Sequence, residues 1–188
     1  MMALVSDPEP DDGGLLGPAE AGRRLADALA RYGGTVTELV EDLVGEPIDA
    51  DRLVQHDAAA GVDDPLGVGP GHPVVRRAAV LRGRRTGVGY VYAESTIATD
   101  RLPASVRHQL ETTDRPIGRI LVDHGLVLAR APLSPGGGPQ LVVDGAVARA
   151  VGGAIHARRY RIDVGGRPAM AICEWFLADL APSVSAPR

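Results

Sequence analysis

Apolar residues recur at helical spacing at Ala21, Leu25, Ala28, Leu29 and Tyr32, with Pro18 placed to open a helix and Gly33-Gly34 to close it. Thr35 followed by Glu38 is a capping-box pattern, after which Val36, Leu39, Val40, Leu43 and Val44 form one apolar stripe. Two short amphipathic helices joined by Gly-Gly suit two roles: ordinary core elements, or a hinged lid over a pocket. Beyond them the period changes. A short strand around residues 52–56 leads into a Gly-, Pro- and Asp-rich segment, 57–72, that reads as a loop. Residues 73–82 and 87–96 are rich in Val, Ala and Tyr, and Gly83-Arg84-Arg85-Thr86 between them predicts a hairpin turn.

Pro103 opens a further predicted helix containing Val106 and Leu110, and Pro116 opens another through Ile117, Ile120 and Leu121 that stops at Gly125. A second hairpin, 156–164 with 167–177, turns at Gly165-Gly166. Between 132 and 153 the chain is Gly-rich and carries no assignable period; Gly136-Gly137-Gly138 lies beside prolines rather than between a strand and a helix, which makes it a connection and not a dinucleotide fingerprint. Antiparallel hairpins mixed with short helices predict an α+β fold, a single antiparallel sheet with helices on one face. The domain is expected over 18–180. Residues 1–17 are too polar and too broken by Pro, Asp and Gly to pack, and 181–188 form a C-terminal tail.

Composition narrows the chemistry. All 20 basic residues among the 188 are arginine. A chain without lysine has no Schiff-base amine, which excludes pyridoxal-phosphate catalysis, and lacks the lysine of a Walker loop. The formal net charge of -4 gives no reason to expect a nucleic-acid partner. With one cysteine, Cys173, no internal disulfide is available. The acidic N-terminus lacks a signal-peptide pattern, and no apolar run approaches the ~18 residues of a membrane span. A cytoplasmic protein without membrane attachment is the expectation. The five histidines are scattered without metal-ligand spacing, so no metal site is expected.

One residue breaks the apolar pattern of the last strand. Met170, Ile172, Glu174 and Phe176 share one face, and Ala169, Ala171, Cys173, Trp175 and Leu177 the other. An enclosed Glu174 must pair with a cation or stay protonated, either of which suits a functional acid; the alternative is a structural ion pair. Arginines are at hand. Arg76 or Arg77 lies inside the apolar strand 74–81, and Arg158, Arg159 and Arg161 crowd the preceding strand of the second hairpin. An enclosed arginine beside an enclosed glutamate points to a small anionic ligand. Alternation does not choose between Arg76 and Arg77, because both faces of that strand are about equally apolar.

Three stretches stand out together: Tyr92-Ala93-Glu94-Ser95 running on to Asp100-Arg101-Leu102-Pro103, then Arg115-Pro116-Ile117-Gly118, then residues 157–161 continuing through Gly165-Gly166-Arg167-Pro168 to Glu174-Trp175-Phe176-Leu177. In order and spacing they resemble the chorismate lyases, especially the actinobacterial 4-hydroxybenzoate synthases. The resemblance covers roughly residues 20–180, and its last stretch is the most specific. It implies helical flaps closing a buried ligand cavity over the sheet, and conversion of chorismate to 4-hydroxybenzoate and pyruvate without a cofactor. By position it implies that Arg77 binds the substrate carboxylate, that Glu174 faces the oxygen on the ring where the ether is cleaved, and that the apolar contacts come from Val36 on the flap and from Ile117 with Gly118 at the Pro-Ile-Gly turn. In enterobacterial members an arginine stands about where this chain has Glu94, so the holder of the second carboxylate is open; Arg159 is the substitute the resemblance leaves. Residues 127–155 have no clear counterpart.

Two other readings compete with a lyase. The effector domains of GntR-type transcription regulators resemble the lyase fold and bind a metabolite without chemistry, although such regulators carry a winged-helix domain ahead of the sensor. A lyase-like binder of a chorismate-derived aromatic acid is the other. Neither oligomeric state nor downstream pathway is legible.

Overall fold

The computed structural model describes residues 16–126, 129–134, 141 and 144–185. Its first two elements follow the end signals in the sequence. Helix α1 (Pro18–Arg31) starts on its proline, and α2 (Val36–Val44) starts on a complete capping box, Thr35 Oγ1 accepting from Glu38 N at 3.2 Å while Thr35 N donates to Glu38 Oε2 at 2.7 Å. Gly45 ends α2 in the left-handed region, at φ 69°.

Six strands form one sheet: β1 (Ile48–Ala59), β2 (Pro73–Gly83), β3 (Gly89–Ile97), β4 (Ala129–Pro132), β5 (His156–Val164) and β6 (Arg167–Phe176). Their order is β1-β2-β3-β6-β5-β4, every pair antiparallel. The two predicted hairpins are β2–β3 and β5–β6, and they join along β3 and β6, from Val91 opposite Phe176 to Ile97 opposite Met170. Strand β1 is longer than its apolar content suggests. It is an edge strand whose outward positions are polar, with Asp49 paired to Arg84 at 2.7 Å and Asp51 to Arg82 at 3.2 Å, so polarity masked its extended backbone.

Helices α1, α2, α3 (Ala104–Thr112) and α4 (Ile117–Asp123) cover one face. Leu25 and Val40 pack with Ile48, Leu81 and Phe176, and Val106, Leu110, Ile120 and Leu121 pack on Ile162 and Met170. The segment without an assignable period, 132–153, supplies α5 (Gly145–Gly152), and β4 ends where that segment begins. Val151 of α5 packs on Tyr92 and Trp175 across the other face, which the 60–68 loop also covers through Leu66 and Val68. Residues 181–185, expected as tail, are helix α6 (Ala181–Ser185); fully buried Leu180 just before it and Val184 within it join the α1–α2 cluster, which gives the segment an apolar anchor. The expected tail over 1–17 falls almost wholly outside the described residues, as does the triple glycine. No helix among the described residues is long and apolar enough to cross a membrane.

Candidate active site

Over the middle of the helix-covered face the sheet presents Ala79, Ala93 and Ser95, side chains too small to meet the helices above. A cavity remains there, roofed by Thr35-Val36-Thr37 at the start of α2 and by Pro116-Ile117-Gly118 at the start of α4. Gly118 lets the two roof segments meet. A Cβ at that position would lie 3.1 Å from Thr35 Cβ and Cγ2, tighter than ordinary van der Waals contact. Gly118→Val is therefore expected to push α4 away from the capping residue of α2, costing about 1–3 kcal/mol of stability. Thermal melts check this: the Tm of the variant should fall below that of the wild type.

Arg77, only 2% exposed, lies on the cavity side of β2. Its guanidinium donates to Gln55 Oε1 at 3.3 Å, Leu110 O at 3.4 Å and Arg115 O at 3.1 Å. All three acceptors are neutral, and no carboxylate among the described residues lies within ion-pair distance. Burial, and secondarily the charge of Arg52, pushes Arg77 down to about 10, which leaves it cationic at neutral pH. Asp114 partly offsets that shift from beyond ion-pair distance, so the cation is desolvated and hydrogen-bonded only to neutral acceptors, a condition that favours binding of a carboxylate.

Glu174, 6% exposed, enters the same cavity from β6. Both of its oxygens are held: Arg158 Nε donates to Oε2 at 2.7 Å and Tyr160 Oη to Oε1 at 2.9 Å. Burial, and next the negative charge of Glu174, push the Tyr160 phenol well above its ordinary range, so it remains a donor. Arg158 also stacks over the Tyr160 ring, 4.8 Å from its centroid. The pair Arg158–Glu174 answers the pairing that an enclosed carboxylate requires, while Glu174 still lines the cavity.

Of the residues singled out from the sequence, Arg77, Glu174, Val36, Ile117 and Gly118 line this one cavity. Arg159 does not. It lies opposite Cys173 on the reverse face of the sheet, beside a separate cavity of about 220 Å³ that it lines with Arg76 and Glu94. Arg76 and Arg77 are thus divided between the two faces. Tyr160 and Arg130 line the first cavity without having been singled out. Tyr160 has the parity of Arg158 on β5; Arg130 belongs to a strand with no alternating pattern to reveal it.

No protein-family profile matches the chain. It is similar to the chorismate pyruvate-lyase of Mycobacterium leprae, 31% identical over 157 residues that cover 79% of this chain and 72% of that protein. It is also similar to the chorismate pyruvate-lyase of Mycobacterium tuberculosis, 31% identical over 160 residues, 79% and 77% of the two chains. Among solved structures, the effector domain of PhnF from Mycobacterium smegmatis matches with a TM-score of 0.54 at 18% identity, covering 79% of this chain and 91% of that domain. Longer PhnF from the same organism matches with a TM-score of 0.56 at 17% identity, over 79% of this chain and 66% of that one. At such identities the likeness to PhnF is one of fold.

Proposed function

The chain belongs to the chorismate pyruvate-lyase family, and on that premise we propose that it cleaves chorismate to 4-hydroxybenzoate and pyruvate without a cofactor, using Arg77 and Glu174. One observation carries the reading. Buried Arg77, with no carboxylate partner among the described residues, opens into the same cavity as a buried glutamate held by Arg158 and Tyr160.

Chorismate carries one carboxylate on a cyclohexadiene ring and a second on an enolpyruvyl ether. Breaking the bond between ring carbon 3 and the ether oxygen, with loss of the hydrogen on carbon 4, makes the ring aromatic; the departing enolpyruvyl group gains that hydrogen on its methylene carbon and becomes pyruvate. The reaction is downhill, and the protein has to bind, orient and move one proton. Arg77 anchors the ring carboxylate. Glu174 stands at the ether side and assists the proton's transfer from ring to leaving group, a contribution of typically about 10²- to 10⁴-fold. Val36, Ile117 and Gly118 close the roof and exclude water, which strengthens both polar contacts.

Purified, dialysed protein mixed with chorismate should release 4-hydroxybenzoate and pyruvate in equal amounts, with no loss of rate on adding a chelator. Binding of chorismate without turnover would instead place the chain with metabolite-binding domains of the kind whose fold it shares. Release of 3-hydroxybenzoate would overturn the assigned regiochemistry.

A further inference from the structure

We infer that Arg130 on β4 holds the second, enolpyruvyl carboxylate of the substrate, an assignment that rests on the reading of this cavity as a chorismate site. Arg130 pairs with Ile162 across the β4–β5 ladder, and Ile162 shares the cavity face with Tyr160. Its guanidinium lies 6.0 Å from the centroid of the Tyr160 ring and donates through Nη2 to Gly34 O at 3.1 Å, in the link between α1 and α2. Nε is buried and has no hydrogen-bond partner among the described residues, and no carboxylate among them lies within ion-pair distance. Arg158, the cation nearest in sequence on the adjoining strand, is already committed to Glu174 at 2.7 Å.

The charges then match the substrate. Two arginines, Arg77 and Arg130, line the cavity and a third, Arg158, lines a smaller pocket that shares Arg130 with it; Arg158 neutralises Glu174, and Arg77 and Arg130 remain for two carboxylates. Placement agrees with count. In the strand order β2-β3-β6-β5-β4, Glu174 stands on the middle strand, between an arginine on either outer one. Four strand spacings separate the backbones of β2 and β4, about 19 Å, and Arg77 and Arg130 both line the one cavity that spans them. Arg77 meets the ring carboxylate at one end, the reacting bond faces Glu174, and the enolpyruvyl carboxylate meets Arg130 at the other. A planar guanidinium with an unsatisfied Nε–H offers the bidentate geometry that a carboxylate takes.

The test compares two ligands by calorimetry. 4-Hydroxybenzoate has only the ring carboxylate. 3-(1-Carboxyvinyloxy)benzoate keeps both carboxylates and the ether oxygen, but its ring is already aromatic and cannot eliminate. Arg130→Gln should weaken the diacid by about tenfold or more while changing 4-hydroxybenzoate by less than about twofold, and Arg130→Lys should recover part of the loss. Equal loss for both ligands, no loss for the diacid, or failure of the wild type to bind the diacid more tightly than the monoacid would each overturn the assignment. Turnover of chorismate by the wild type is scored separately. Selectivity that depends on Arg130 without turnover sinks the lyase reading and leaves the diacid site; turnover with selectivity indifferent to Arg130 sinks the assignment alone.

Discussion

Arg77→Ala is expected to weaken chorismate and 4-hydroxybenzoate together, each by about 2–5 kcal/mol, the usual cost of truncating one partner of a buried charged contact. That is a loss of about 30- to several-thousand-fold. Both ligands carry the ring carboxylate, so the two factors should agree. KM for chorismate and the inhibition constant of 4-hydroxybenzoate measure them in one set of assays. Stability moves for opposing reasons. The substitution removes a buried cation that no carboxylate among the described residues neutralises, yet it strips a donor from Gln55 Oε1, Leu110 O and Arg115 O. The Tm of the free protein should therefore shift less than the rise in Tm that 4-hydroxybenzoate produces in the wild type, and that rise should vanish in the variant. Loss confined to chorismate would mean that Arg77 holds the enolpyruvyl carboxylate, which would exchange its role with that proposed for Arg130.

The strands and their faces were largely legible because alternation and turn residues are local signals. Gly165 and Gly166 take φ 58° and 76° at the predicted turn, and Glu174 lies on the face its apolar neighbours implied. What alternation does not reveal is a bulge. From the turn, Val164 opposes Arg167 and Asp163 opposes Pro168, a register that carried on would set Ala157 across from Glu174 and turn Arg159 toward the cavity. The register instead slips by one between Ile162 and Asp163, so that Ile162 meets Met170 and Arg158 meets Glu174. One extra residue exchanges the faces of everything beyond it. Arg158 and Tyr160 thereby reach Glu174, and Arg159 goes to the reverse side. Arg77 was separable from Arg76 only through the resemblance, since the strand is apolar on both faces. Arg130 was out of reach for another reason: β4 is a four-residue edge strand that ends on Pro132, too short to show a period.

Glu174→Gln tests the chemistry apart from the binding. The amide keeps the size of the side chain and offers an oxygen to Arg158 and an NH2 group to the Tyr160 hydroxyl, which can turn from donor to acceptor. Folding should survive, because an amide is easier to bury than a carboxylate, although Arg158 left without its counter-charge offsets part of that gain. The variant should bind chorismate within a few-fold of the wild type, because the carboxylate anchors are untouched. Turnover is another matter. An amide neither takes up nor releases a proton at neutral pH, so kcat should fall by about 10²- to 10⁴-fold, the range typical of a positioned acid or base. Single-turnover rates beside equilibrium binding separate the two quantities, and Tm establishes that the variant is folded. A folded Glu174→Gln protein with near-normal kcat would make Glu174 the structural partner of Arg158 and nothing more, and the proton's path would then have to run directly from ring carbon 4 to the enolpyruvyl methylene, with the protein supplying only the fit between two arginines.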